Sequence, residues 1–122
     1  MQAERDLGRV PQDVSAKRGI GYDIKSTVPN DQVGADEPHV YMIEVKGRAL
    51  GADSVTLTAN EVRAANNCRS KGNFRLAIVE IDGDVVHDPI YVSEYQYGEL
   101  GFNQTSSQYS LESLKQKGGA PS

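Results

Sequence analysis

The sequence predicts an α/β (α+β) domain in the order helix, strand, strand, strand, helix, strand. Its mixed sheet is flanked by helices, and a hairpin strand is appended at the C-terminal side. Three observations carry this. Apolar and polar residues alternate through 19–26 and again through 40–47, the two-residue period of half-buried strands. Thr58 and Glu61 stand at the spacing of a capping box, which marks a helix start. Residues 74–81 are almost continuously apolar, as a central strand covered on both faces requires.

Taken in order, residues 3–7 read as the end of a helix, with Gly8 as its stop and Pro11 soon after. A helix met this early suggests a domain excised from a longer chain. Residues 9–19 read as a polar connection and 19–26 as the first strand. The Asn-, Asp-, Gly- and Pro-rich stretch 29–38 reads as a hairpin loop leading to the second strand, 40–47. A turn at 49–53 precedes a short third strand, 54–57. The capped helix runs to about Arg69, with Val62, Ala65 and Cys68 or Ala64 on its inner face, and Lys71-Gly72-Asn73 ends it. A strand–helix–strand step over 54–81 requires a right-handed crossover and a parallel pair. Asp82-Gly83-Asp84 turns the chain into an outer strand, 85–92. Residues 93–117 form a polar, Tyr-rich extension in which Leu111 and Leu114 suggest a short helix, and 118–122 read as a disordered tail.

Bulk properties narrow the function classes. The chain has 122 residues, 38% hydrophobic and 25% charged, enough for one core. It has no apolar run suited to a membrane span and no apolar signal segment near Met1. Cys68 is the sole cysteine, so no internal disulfide forms, and a reducing cytoplasm is expected. Net charge is −4, which by itself argues against a nucleic-acid protein. The charge is uneven: residues 1–75 hold 11 Lys/Arg against 10 Asp/Glu, while 76–122 hold 2 against 7. The positive charge therefore lies in the part of the chain that carries the motifs.

Those motifs are Gly21-Tyr22-Asp23-Ile24 and, one strand later, Ile43-Glu44-Val45-Lys46-Gly47. Residues two apart in a strand share a face, so Glu44 and Lys46 project together, with Asp23 carried on the neighbouring strand. Two carboxylates beside an amine suit a hard divalent cation next to a phosphate. Asp followed by Glu-x-Lys resembles the PD-(D/E)XK nuclease superfamily, whose restriction-endonuclease-like core has the αβββαβ order read above.

Within that superfamily the closer resemblance is to the C-terminal domain of the plant protein NO VEIN. It rests on Asp13-Val14-Ser15, residues 21–26, residues 43–48 and Leu57-Thr58-Ala59-Asn60-Glu61, in order, and covers roughly residues 1–92. Bacterial copies of this domain often sit at the C-terminus of helicases in restriction or phage defence. The resemblance implies Asp23 and Glu44 as ligands of Mg2+, with Mn2+ equally suited, and the backbone carbonyl of Val45 as a further ligand. It implies Lys46 as the residue that orients the attacking water. Glu4 matches the position where many members place an extra acid.

These roles imply a Mg2+-dependent endodeoxyribonuclease domain, with DNA and the helicase module of the same parent protein as partners. The alternative is a non-catalytic module of the same fold that binds DNA or a partner protein. A homodimer is compatible with either reading. Lys25, Arg48 and Arg63 are further candidates for phosphate contact. The helix cap accounts for Glu61, His39 and His87 read as surface residues, and Tyr91, Tyr95, Tyr97 and Tyr109 read as a packing layer over the sheet edge.

Overall fold

The computed structural model describes residues 1–34, 37–68 and 72–122. The expected end of the long helix at Arg69 and its stop at Lys71 lie outside the described residues, as does part of the loop 29–38.

The elements in chain order are α1 (Gln2–Asp6), β1 (Val10–Asp13), β2 (Ile24–Thr27), a 3-10 turn at Asn30–Gln32, β3 (Val40–Ala49) and β4 (Ser54–Thr58). They continue with α2 (Ala59–Asn67), β5 (Phe74–Asp82), β6 (Val85–Val86), β7 (Ile90–Val92), β8 (Ser106–Ser110), α3 (Leu111–Gln116) and β9 (Gly118–Gly119). Among the described residues the main sheet has seven strands in the order β1-β2-β3-β5-β7-β9, with β6 also on β5. The β3–β5 pair is parallel and the rest are antiparallel, so the domain is α+β with a mixed sheet. No helix among the described residues is long and apolar enough to cross a membrane.

The sheet's two faces bury different cores. Leu76, Ile78 and Val92 project to one side, where they pack with Val55 and Leu57 of β4, Val62 and Ala65 of α2, and Leu111 and Leu114 of α3. Ile24, Ile43, Ala77 and Tyr91 project to the other side, beneath Ala3 of α1. The continuous apolar run of β5 serves both cores at once. Tyr95, Tyr97 and Tyr109 pack edge-on or tilted against one another, with centroids 5.1–5.9 Å apart, and Tyr97 meets Phe74. These three form the expected packing layer, whereas Tyr91, expected with them, lies in the core on the opposite face and donates to Glu4. His39 and His87 are exposed, and Cys68 is buried in the larger core.

Five expectations are corrected. The stretch 9–19 contains an edge strand, β1, where Pro11 is tolerated because an edge position can do without an N–H. Strand β2 begins only at Ile24, because Gly19 and Gly21 adopt φ of +80° and +81°, outside strand geometry. Strand β4 leaves the main sheet and pairs with β8. The parallel pair that the crossover demands is therefore β3–β5. The outer strand is broken into β6 and β7, with Pro89 in the gap. The tail is ordered: Gly118–Gly119 pair with β7, and the Ser122 carbonyl accepts from Arg9 and Arg75, each at 3.0 Å.

Candidate functional site

Asp23 stands at the point where β2 begins, and its backbone is clamped from both sides. Its N–H donates to the Ile43 carbonyl at 2.9 Å, and its carbonyl accepts from Val14 N–H at 2.8 Å. Its carboxylate Oδ2 accepts the Val45 N–H at 3.0 Å, taking the place that a strand carbonyl would otherwise occupy. A strand residue directs its N–H and carbonyl to the same edge. The Val45 carbonyl therefore faces the same side as Asp23, on the length of β3 beyond the last β2 pairing at Ile43.

Gly21 explains how the chain reaches this position. A Cβ there would collide with the Asn60 carbonyl and come within 2.9 Å of the Ala64 Cβ, both on α2. Only glycine permits the positive φ and this close approach. The Gly-Tyr-Asp segment is thus a turn pressed against α2, with Tyr22 packed on the larger core.

Glu44 and Lys46 project from β3 to the side of the sheet that α2 covers. Glu44 is 3% exposed. Burial pushes its carboxyl up to about 9, reinforced by the hydrogen bond to Asp23 and by the charges of Glu61 and Asp23, with Lys46 opposing. Glu44 therefore holds a proton far more tightly than an ordinary carboxyl, with Asp23 as its close neighbour. Lys46 Nζ lies 2.9 Å from Glu61 Oε1. Glu61 also closes the capping box: its Oε1 accepts the Thr58 N–H at 2.9 Å, while Thr58 Oγ1 accepts the Glu61 N–H at 3.3 Å.

The structure thus joins Asp23, Glu44, Val45 and Lys46 at one place and adds Glu61. In the sequence the cap accounts for Glu61 completely, so only its place in the Leu57–Glu61 segment hinted at a second role. Among the described residues no three His, Cys, Asp or Glu side chains form a metal cage by themselves. Lys25 and Arg48 are exposed and, by strand alternation, share the face of Glu44 and Lys46. Arg63 is exposed on α2 and donates to Asn60 Oδ1 at 3.3 Å.

Glu4 is not part of this cluster. It is fully buried on the opposite face of the sheet, where Arg9 grips both its oxygens at 2.7 and 2.9 Å and the Tyr91 hydroxyl donates at 2.7 Å. The Arg9 and Arg75 guanidinium groups lie 4.0 and 5.0 Å from the centre of the Tyr41 ring. Burial alone would raise the Glu4 carboxyl, but the hydrogen bonds from Arg9 and Tyr91, the Ser26 hydroxyl and the Arg9 charge hold it below its ordinary value. The structure gives this acid a structural place, tying α1 to β7.

A family model, protein NO VEIN, C-terminal, matches residues 1–92. The chain belongs to the NO VEIN C-terminal family. The match spans every residue of the cluster and stops at the end of β7, leaving β8, α3 and β9 outside it. No curated protein matches the chain. In this NO VEIN C-terminal domain, the two motifs meet through a hydrogen-bonded strand edge and a glycine turn held against one helix.

Proposed function

We propose that this domain hydrolyses DNA phosphodiester bonds with the help of a divalent cation, Mg2+ or Mn2+, and that an attached helicase module delivers the substrate. The observation that carries the reading is the convergence of Asp23, Glu44 and Lys46 on one face, with the Val45 backbone beside them. The Asp23 carboxylate lies close enough to Glu44 to help raise its carboxyl. A hard cation suits that pair, since it would replace the proton and satisfy both carboxylates, and the Val45 carbonyl adds a third oxygen. Two carboxylates and one carbonyl leave room for water, which Mg2+ retains when bound. When bound, the cation would supply Lewis acidity toward the phosphate and toward a water.

The side chains do the remaining work. Lys46 holds the attacking water in line with the leaving oxygen and offsets charge that develops on the phosphate. Glu61 holds Lys46 in place until substrate arrives. Water oxygen bonds to phosphorus, the bond to the 3′ oxygen breaks, and the proton ends on that oxygen, leaving a 5′ phosphate. Lys25 and Arg48, on the same face, would contact flanking phosphates.

A second reading, a binding module without turnover, is favoured by the ion pair that occupies Lys46 and by the net charge of −4. DNA cleavage by wild type and by Asp23→Asn, with Mg2+ and with EDTA, separates them. Turnover requires Asp23 and the cation, whereas simple binding survives both changes.

A further inference from the structure

An open depression of about 810 Å3 lies between the first turns of α2 and the segment leading into β8, with Asn60, Arg63, Leu100, Phe102 and Gln104 among its lining residues. On its rim Phe102 is 98% exposed, which sets it apart from the other large apolar side chains of the surface. A ring this exposed has a face free to stack on a planar partner. The loop that presents it is braced. Gln104 Oε1 accepts the Gly101 N–H at 2.7 Å, and its amide donates to the Ser106 carbonyl at 2.8 Å and to Ser107 Oγ at 2.6 Å. Ala59 N–H donates to the Thr105 carbonyl at 2.8 Å, and Asn66 Nδ2 donates to the Gly98 carbonyl at 3.1 Å, so α2 grips both ends. At the tip Asn103 takes φ of 66°, a conformation that asparagine tolerates better than most residues.

The chemistry of the depression is selective. Among the described residues, its lining contains one cation, Arg63, and no carboxylate, in a chain of net charge −4. Arg63 spends one donor on Asn60 and keeps the others. A flat apolar ring beside a guanidinium and side-chain amides matches an unpaired nucleotide: the base stacks on the ring and the phosphate meets the guanidinium. A duplex hides its base faces and gains nothing from the ring. The depression also adjoins the cluster described above. Thr58, in its lining, donates its N–H to Glu61 Oε1, the atom that holds Lys46, while Arg63 leaves α2 on the side away from Glu61.

We infer that Phe102 and Arg63 form a subsite for an unpaired nucleotide, so that the neighbouring site receives single-stranded or flapped DNA. The inference rests on reading the Asp23–Glu44–Lys46 cluster as a DNA site. Phe102 lies beyond residues 1–92, so the subsite uses a part of this chain that the family match does not cover.

The test is fluorescence anisotropy in EDTA, with a labelled single-stranded oligonucleotide and a labelled hairpin duplex, for wild type, Phe102→Ala, Phe102→Tyr and Arg63→Ala. Loss of one stacking contact should weaken single-strand binding by about 5- to 100-fold in Phe102→Ala. Duplex binding should stay within about twofold, and Phe102→Tyr should behave as wild type. Undiminished single-strand binding by Phe102→Ala, or equal losses for both ligands, would overturn the inference. The same proteins are then assayed for cleavage with Mg2+. Duplex cleavage by wild type with a silent Phe102→Ala removes the subsite and leaves the nuclease reading standing. Phe102-dependent single-strand binding without cleavage does the reverse. Absence of DNA binding by wild type removes both.

Discussion

Lys46 Nζ and Thr58 N–H converge on the same atom, Glu61 Oε1, each at 2.9 Å. One carboxylate therefore fixes the start of α2 and positions the lysine of the candidate site. Helix and sheet are locked together at the place where chemistry is proposed.

Glu61 separates into two roles by substitution. Glu61→Gln keeps an oxygen for the Thr58 N–H but loses the charge that holds Lys46. It should leave stability within about 0.5 kcal/mol of wild type and lower cleavage by about tenfold or more. Glu61→Ala also loses the cap and should cost about 1 kcal/mol. Urea denaturation with parallel cleavage assays checks both; equal cleavage by Glu61→Gln and wild type would reduce this residue to a cap.

Glu44 makes the cation-free protein less stable in alkali. Its carboxyl ionises near its ordinary value of 4.5 when unfolded and near 9 when folded. The folded state therefore binds the extra proton between those values, and stability falls as pH rises across that window. Glu44→Gln should flatten the slope and raise stability by about 1–2 kcal/mol at pH 8. Denaturation in EDTA from pH 5 to 9 measures it, and an unchanged slope would contradict the raised Glu44 carboxyl.

On the other face, Glu4 contributes with the opposite sign. Its folded carboxyl lies below 4.5, so its stabilisation is present above that pH and is lost as pH falls through the folded value. Glu4→Gln leaves Arg9 buried with no charge partner and should cost about 3–5 kcal/mol. Tyr91→Phe, which removes one hydrogen bond to Glu4, should cost about 1–2 kcal/mol. Cation affinity of folded Tyr91→Phe should match wild type. A loss of affinity there would return Glu4 to the site.

Gly21→Ala tests the turn that delivers Asp23. The added methyl meets the Asn60 carbonyl at a backbone angle that alanine avoids, so about 2–4 kcal/mol should be lost. Thermal unfolding reads this directly. A change under about 0.5 kcal/mol would show that α2 and the turn are not packed as described.

Much of this arrangement was legible in residues 19–82. Alternation exposed the Glu44/Lys46 face, the Thr58/Glu61 spacing marked the helix start, and the apolar run of β5 revealed a strand buried on both sides. What stayed hidden depends on partners distant in sequence. Strand β1 is short and polar, and becomes a strand only by pairing with β2. Strand β4 looks like a sheet member locally, but its partner lies some fifty residues away at Ser106–Ser110. Glu4 reads as a site acid until Arg9 and Tyr91 close around it. The ordered end of the chain depends on two arginines that no local pattern connects to Ser122.

The central claim is tested most directly by incubating wild type and Lys46→Ala with plasmid, linear and single-stranded DNA, in Mg2+, in Mn2+ and in EDTA. The account predicts cleavage by wild type that requires the cation and falls by at least about a hundredfold in Lys46→Ala, while both proteins unfold at the same denaturant concentration. Equal cleavage by the two proteins, or none by a wild type supplied with its helicase module, would contradict it.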